Sequence, residues 1–282
     1  MDVGAVMPRD LAGSTADMTR FAGAAEELGY GSLWVTEHIV VPVEISSRYP
    51  YSADGRPTFS VETPYPEAMV TLGCLAGVTR RLRLGTAVIP LCSRDPLVLA
   101  TQAATGDQLS GGRLELGVGA GWLEEEAHAL GHPSDHRGGR LDEAIEIMRK
   151  SWSERTFDYN GRYYRLPNIG MHPHPPQGAR LPVWIGGGTP RAIRTAAERA
   201  EGLLVWLTDP DQLAEFSGRL RELNPAVRLG TSLRTAGDPA AVADRAQKLR
   251  AAGADLLLAM PSGDMDGVLA QLQAFSEVAA ER

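Results

Sequence analysis

One histidine of this chain stands where a strand-like run gives way to a loop. His38 follows the apolar run 33–36, and an imidazole with an ordinary pKa of about 6.5 can take up or release a proton at neutral pH. Glu37 precedes it, and adjacent residues of an extended chain face opposite sides, so the two side chains are not expected to share one role. His38 is therefore the candidate catalytic residue, with a hydrogen-bonded structural histidine as the alternative.

A glycine-rich stretch ends another apolar run. The run 114–116 leads into glycines at alternate positions over 117–121, and the acidic run 124–126 suits the first turn of a following helix. Glycine weakens a strand interior, so this spacing favours the close approach of a large group to the backbone. We interpret the stretch as a surface for a flat cofactor; a tight turn without a ligand is the alternative. The candidate contact residues are Gly119, Ala120, Gly121 and Trp122.

A third segment is typical of an anion-binding site. Its residues are Gly186, Gly187, Gly188 and Thr189. The next residue, Pro190, stands where proline favours the start of a helix. Backbone N–H groups of such a segment can point at a phosphate, and the helix adds the positive end of its dipole. A flexible connection that binds nothing is the alternative.

Three further histidines recur at every fourth residue without forming a convincing metal site. His128, His132 and His136 would share one face of a continuous helix, but Gly131 and Pro133 interrupt it. No cysteine or carboxylate completes a ligand set, so we predict no metal. The chain also lacks a Gly-x-Ser-x-Gly elbow and a phosphate-binding Walker loop.

The elements that must position these candidates alternate between short apolar runs and helical patterns. The predicted strands are 3–7, 33–36, 82–89, 114–116, 183–185, 203–207, 229–233 and 255–260. Their continuous apolar character indicates strands covered on both faces. Eight strand–helix units in 282 residues are typical of an α/β fold of the (β/α)8 TIM-barrel type, here a single domain over 1–282. A doubly wound sheet is the alternative, but Trp122 occupies the last position of its Gly-x-Gly-x-x-Gly motif, and that strand is the fourth.

In a TIM barrel the candidates would meet at the C-terminal ends of the strands. Long irregular insertions, 40–63 after the second strand and 157–182 after the fourth, are expected on this same face. Loops carry specificity on this fold, so we expect the two insertions to form most of the substrate pocket. Aromatic residues indicate an apolar or aromatic substrate: Tyr49, Tyr51, Phe59, Tyr65 and Trp122.

Composition argues against several classes of partner. A net charge of −7 provides no basic surface for nucleic acid or an anionic membrane. No apolar stretch approaches the roughly 20 residues of a membrane span. Cys74 and Cys92 are too few for a disulfide framework. Because the N-terminus shows no signal-peptide pattern, we expect a cytoplasmic protein.

Four motifs lie at 84–90, 95–114, 116–122 and 182–188. Together they resemble those of the bacterial luciferase-like family, and most closely its coenzyme F420-dependent oxidoreductases of actinobacterial type. The resemblance implies a TIM barrel with a deazaflavin or flavin in its wide mouth. It implies a non-proline cis peptide at Ala87–Val88 that backs the cofactor ring, and His38, with Glu37 beside it, near the reacting carbon. The segment 186–189 matches the phosphate-binding position.

The chain departs from this family's sugar-phosphate dehydrogenases at one position. In those enzymes a carboxylate follows the glycine motif and serves as an acid, whereas Trp122 stands here. Glucose 6-phosphate is therefore not expected as the substrate, and the pocket should be more apolar. His38 remains as the candidate proton donor.

The expected function is that of an oxidoreductase that transfers a hydride between F420 and a small apolar organic substrate, with the cofactor supplying the redox chemistry. An FMN-dependent monooxygenase of the same fold, in which reduced flavin meets oxygen, is the first alternative. A non-catalytic flavin-binding barrel is the second. The resemblance also implies a homodimer, which the residues themselves do not indicate.

Overall fold

Short apolar runs form the strands of a closed parallel barrel. The computed structural model describes residues 1–91, 94–206 and 209–280. Its strands within these ranges are β1 (Asp2–Val6), β2 (Ser32–Val35), β3 (Arg83–Thr86), β4 (Ile89–Pro90), β5 (Leu114–Gly119), β6 (Phe157–Asn160), β7 (Arg165–Ile169), β8 (Val183–Gly186), β9 (Gly202–Val205), β10 (Arg228–Arg234) and β11 (Leu256–Met260). The predicted end of one strand, Leu207, lies outside the described residues, as does Cys92.

Eight of these strands close into a barrel. The hydrogen-bonded order is β3-β2-β1-β11-β10-β9-β8-β5, and β3 also pairs with β5, so that Leu84 lies beside Leu114 and the ring is complete. Each neighbouring pair within the ring is parallel. This topology confirms the predicted (β/α)8 TIM barrel and excludes the doubly wound sheet.

Helices surround the barrel. They are α1 (Thr15–Glu27), α2 (Ala68–Val78), α3 (Pro96–Ser110), α4 (Glu124–Ala129), α5 (Arg137–Ser153), α6 (Pro190–Arg199), α7 (Pro210–Leu223), α8 (Pro239–Ala251) and α9 (Met265–Ala280). Helices α3, α6, α7 and α8 share one start: a side chain accepts a hydrogen bond from a first-turn amide, and proline follows it. That pairing satisfies an otherwise free N–H and fixes φ for the first turn. Across the described ranges, no helix is long and apolar enough to cross a membrane.

Two tryptophans fill the interior of the barrel. Trp34 and Trp184 are buried and meet edge to face, with ring centroids 5.6 Å apart. Gly85 and Gly202 leave room for these rings, since a Cβ on either glycine would collide with an indole. The Trp184 indole N–H donates to Glu115, 2.7 Å away. Because these rings occupy the barrel interior, space for a ligand is left at the C-terminal ends of the strands.

The third barrel strand is interrupted, which the strand prediction for 82–89 missed. Strand β3 ends at Thr86, the Ala87–Val88 peptide is cis, and β4 resumes pairing with β5 at Ile89. The cis peptide that the family resemblance implied at this position is thereby confirmed.

The first insertion, which spans 36–67 between β2 and α2, lies at the mouth as expected. The second does not follow the prediction, because the segment 157–182 is neither wholly irregular nor gathered at the mouth. It contains the antiparallel hairpin β6–β7. Farther along, the side-chain amide of Gln177 donates a hydrogen bond to the Leu114 carbonyl at the start of β5, 2.8 Å away. Since this segment follows α5, which runs back from the mouth, it begins at the opposite end of the barrel.

Candidate active site

The predicted site residues line one pocket at the C-terminal ends of the barrel strands. The pocket has a volume of about 1620 Å³. All of the predicted residues are on its wall: Glu37, His38, Ala87, Val88, Gly119, Ala120, Gly121, Trp122, Gly186, Gly187, Gly188 and Thr189. The barrel therefore brings together residues that lie up to 152 positions apart in the sequence, from Glu37 to Thr189.

His38 is fixed from behind by a buried carboxylate. Its Nδ1 lies 2.7 Å from Oε2 of Glu126, whose side chain is 1% exposed. The other oxygen of Glu126 accepts a hydrogen bond of 2.7 Å from the Ile39 amide. Because one carboxylate holds both the ring and the backbone after it, the imidazole has a defined orientation. With Nδ1 bound to Glu126, Nε2 is the nitrogen left to exchange a proton in the pocket.

The side chain of Glu37 is turned to other partners. Its two oxygens accept hydrogen bonds from the Ala68 amide, at 2.8 Å, and from the Arg94 guanidinium, at 2.9 Å. Arg94 also pairs with Glu67, 3.1 Å away. Burial raises the pKa of Glu37, while the Arg94 charge and the Ala68 amide oppose that rise. Glu37 thus ties the end of β2 to the start of α2, and the two neighbouring side chains have different hydrogen-bond partners.

An aromatic wall surrounds the imidazole. The ring centroids of Phe59 and Tyr65 are each 5.0 Å from that of His38, and that of Trp122 is 6.1 Å away. Tyr49 completes the wall, 5.0 Å from Trp122. Three of these rings come from the first insertion, so this loop supplies the apolar surface beside the candidate catalytic group.

The glycines of β5 and β8 leave space for the segment 86–88, which packs against them. A Cβ on Gly117 would collide with the Thr86 carbonyl. A Cβ on Gly119 or Gly186 would meet the Val88 side chain, at 3.1 and 2.6 Å. The close approach inferred at 117–121 is therefore made first by the segment around the cis peptide. Val88 in turn presents its side chain to the pocket.

The segment 186–189 forms the start of α6. The Thr189 side chain accepts a hydrogen bond from the Ala192 amide, 3.1 Å away, and caps the helix. The Gly187 amide donates to the Leu204 carbonyl at 3.0 Å, so it is already used within the barrel. The amides of Gly188 and Thr189 are the better candidates for an anion. A Cβ on Gly188 would lie 2.6 Å from the Phe216 ring, which explains glycine at that position.

Two of the extra histidines have other side chains as neighbours. His128 contacts Ser134, at 2.9 Å, and the His136 ring lies 5.7 Å from that of Tyr163. The described part of the chain contains no group of three or more His, Cys, Asp or Glu side chains placed to hold a metal ion.

A family model described as luciferase-like monooxygenase matches residues 1–282. The chain belongs to the luciferase-like monooxygenase family. An uncharacterized protein of Mycobacterium tuberculosis is 38% identical over 202 residues, which are 72% of this chain and 69% of that protein. The F420-dependent glucose-6-phosphate dehydrogenase of Kineococcus radiotolerans is 31% identical over 187 residues, or 65% of this chain and 50% of the dehydrogenase. The match thus spans about half the length of that dehydrogenase.

The fold is also shared with the solved structure of a monooxygenase. Monooxygenase RslO1 from Streptomyces bottropensis superposes with a TM-score of 0.80 at 20% identity, over 98% of both chains. At this level of identity the similarity establishes the barrel fold but not the reaction, which must be inferred from the residues of the site. The family match confirms the resemblance drawn from the four motifs.

The candidate active site contains residues that were not predicted from the sequence. Glu126 was visible only as the last of three glutamates that suit a helix start, and nothing local marks it as the partner of His38, 88 positions away. Arg94 and Arg9 carry no local signal either. Arg9 follows β1 and lies over the Tyr65 ring, which only the closed barrel brings beside it.

Proposed function

We propose that this luciferase-like protein is an F420-dependent oxidoreductase that transfers a hydride between coenzyme F420 and a small, apolar organic substrate. The observation that carries the proposal is the His38–Glu126 pair, which holds one imidazole on the wall of a wide, aromatic-lined mouth. The choice of F420 is supported by the 31% identity to a dehydrogenase that uses it.

The residues of the pocket fit a tricyclic cofactor. A typical pocket for a drug-sized ligand has a volume of roughly 300–1,000 Å³, and this one is larger, so it can take a cofactor and a substrate together. Ala87 and Val88 would back the ring, and the amides of Gly188 and Thr189 would bind its phosphate at the start of α6. The same residues would suit the ring and phosphate of FMN.

When bound, the cofactor supplies or accepts the hydride at its ring. The protein's part is to orient the reactants and to move a proton. His38 would exchange that proton with the substrate at Nε2, and Glu126 would stabilise the imidazolium and fix its tautomer. The aromatic wall would exclude water from the reacting atoms, which strengthens both interactions.

An FMN-dependent monooxygenase is the second candidate, because the family model is described by that activity and RslO1 shares the fold. Titration of the purified protein with oxidised F420 and with FMN, followed by the change in their fluorescence, separates the two. We expect micromolar binding of F420. Micromolar binding of FMN alone would overturn the proposal in favour of the monooxygenase.

Binding of neither compound would contradict both enzymatic functions and leave a barrel that acts by other means. A cofactor that binds without any turnover, even with a broad panel of alcohols, ketones and enones, would favour the non-catalytic flavin-binding barrel. A homodimer, also proposed, predicts twice the chain mass by light scattering.

A further inference from the structure

Three guanidinium groups on the pocket wall form no ion pair with a carboxylate among the described residues: Arg9, Arg234 and Arg48, of which Arg48 is exposed on the first insertion. Arg9 and Arg234 both line the pocket. Within the ranges that the structure describes, neither is in an ion pair with an aspartate or glutamate. Positive charges on the wall of a partly enclosed pocket that are not directly paired with a carboxylate favour an anionic guest.

Other arginines of the same pocket are compensated. Arg137 pairs with Glu124 at 3.2 Å, and Arg191 pairs with Asp142 at 2.5 Å. The contrast separates Arg9 and Arg234, which stand at the C-terminal ends of barrel strands, from the paired arginines; Arg48 also has no carboxylate partner among the described residues but is exposed on the first insertion. The contrast also provides a control, since Arg137 has the same chemistry in the same pocket.

Arg9 is held beside the candidate catalytic group. Its Cζ lies 4.5 Å from the centroid of the Tyr65 ring, and its Nη1 donates a hydrogen bond to the Tyr65 hydroxyl. Tyr65 also contacts His38, and the centroids of these two rings are 5.0 Å apart. Arg9 is thus one aromatic ring away from the imidazole, and a guanidinium has five N–H donors, of which one is bonded to Tyr65.

Arg234 is the last residue of β10, and its charge affects the same tyrosine hydroxyl as the charge of Arg9. Burial raises the pKa of the Tyr49 hydroxyl, and the charges of Arg9 and Arg234 both oppose that rise. Both guanidinium groups therefore lie within electrostatic range of one hydroxyl in the aromatic wall. Tyr49 contacts Trp122 and Phe59 through its ring, at 5.0 and 6.0 Å.

This charged sector is separate from the expected phosphate site. Arg9 follows β1 and Arg234 ends β10, and these two strands flank β11. The segment 186–189 follows β8, which lies two positions beyond β10 in the ring. A cofactor phosphate at α6 would thus leave the arginine sector open to a second anionic group.

We propose that the substrate of this enzyme is an aromatic or similarly flat apolar acid, whose carboxylate is bound by Arg9 and Arg234. Its body would lie against Phe59, Tyr65 and Trp122, next to His38. Guanidinium forks match carboxylates in geometry as well as charge, and aromatic rings bury a flat apolar body well. The inference rests on the proposed function, because it assigns the substrate class of that same site.

Calorimetric titration of the full chain with 2-naphthoate and its neutral amide, 2-naphthamide, tests the proposal. We expect the acid to bind at least about ten-fold more tightly than the amide. Arg9→Gln and Arg234→Gln should each weaken binding of the acid by roughly ten- to hundred-fold and leave binding of the amide unchanged, which also shows that the variants are folded. Arg137→Gln should leave the affinity for both compounds unchanged.

The proposal is overturned if the wild-type protein shows no preference for the acid, or if the arginine variants lose affinity for both compounds alike. A repeat at saturating F420 or FMN identifies the source of the anion. If the acid still binds, the sector serves the substrate; if cofactor and acid compete and both arginine variants lose the cofactor, the sector holds the cofactor's own acidic groups and the substrate assignment is wrong. Cofactor titration separately tests the redox function, so a preference for the acid without cofactor binding would remove that function alone.

Discussion

The two insertions of this barrel are of similar length and have different consequences. The segment 36–67 leaves the C-terminal end of β2 and places Tyr49, Phe59 and Tyr65 around His38. The segment 154–182 leaves the end of α5 and returns along that helix, so that only the hairpin tip at Tyr163 reaches the pocket wall. The element that precedes an insertion therefore decides which end of the barrel it can furnish.

Both insertions are fastened by a glutamate that accepts loop amides. Glu126 accepts from Ile39 at 2.7 Å, and Glu143 accepts from Arg162 and Tyr163 at 2.8 and 3.0 Å. The difference is that Glu126 also contacts His38. The same hydrogen-bonding device is thus structural on one insertion and joined to the candidate chemistry on the other.

The largest expected effect is that of His38→Ala in the first insertion. Loss of a positioned acid or base typically costs about 10²- to 10⁴-fold, so we expect a decrease of that order in kcat with the cofactor still bound. The measurement is steady-state turnover with a substrate found by screening, together with cofactor titration. Unchanged turnover would show that the proton comes from elsewhere.

A smaller effect is expected when the two fastening glutamates are compared. Glu126→Gln should lower kcat by roughly 10- to 100-fold, since it weakens a charge-assisted hydrogen bond to His38, and it should shift the pH profile of kcat. Glu143→Gln should change kcat by less than about two-fold. Partial rescue by Glu126→Asp would support a positioning role. Equal effects of the two Gln variants would remove the distinction between the insertions.

The smallest expected effect is acid loosening of the first insertion. The Glu125 carboxylate accepts from the amides of Ser46 and Ser47, at 2.7 and 2.9 Å. Although partial burial opposes ionisation, hydrogen bonds from Ser47 and these amides lower the pKa of Glu125 to about 2 from 4.5. A carboxylate whose pKa is lowered by folding stabilises the folded state fully at pH values above its unfolded-state pKa. This stabilisation is lost as the pH falls through the folded-state pKa.

Amide hydrogen exchange at 46–47 should therefore quicken between about pH 4.5 and pH 2, relative to that of the hairpin amides at 162–163. Glu125→Gln should show the faster exchange already at pH 6 and little further change on acidification. Parallel acid responses of the two segments would mean that global unfolding, and not Glu125, sets the exchange.

Much of the arrangement could be predicted from local patterns. The capping residue and proline at the starts of α3, α6, α7 and α8 mark helix boundaries directly, because those contacts are between near neighbours. Candidate residues at strand ends followed from the barrel prediction, since a parallel closed sheet gathers its C-terminal ends. The course of 157–182 was predicted wrongly, because an irregular composition does not show that the segment runs back along α5.

By itself, the sequence determined the eight strand regions of the barrel, the helices between them and the position of His38 at the mouth, because periodicity, caps and strand ends are short-range properties. Only the tertiary structure decided that Glu126 holds that histidine, that Glu37 turns to Arg94, and that Arg9 and Arg234 share a sector without a carboxylate partner among the described residues. Contacts between residues tens to hundreds of positions apart depend on how the closed barrel brings its loops together, and no local sequence pattern predicts them.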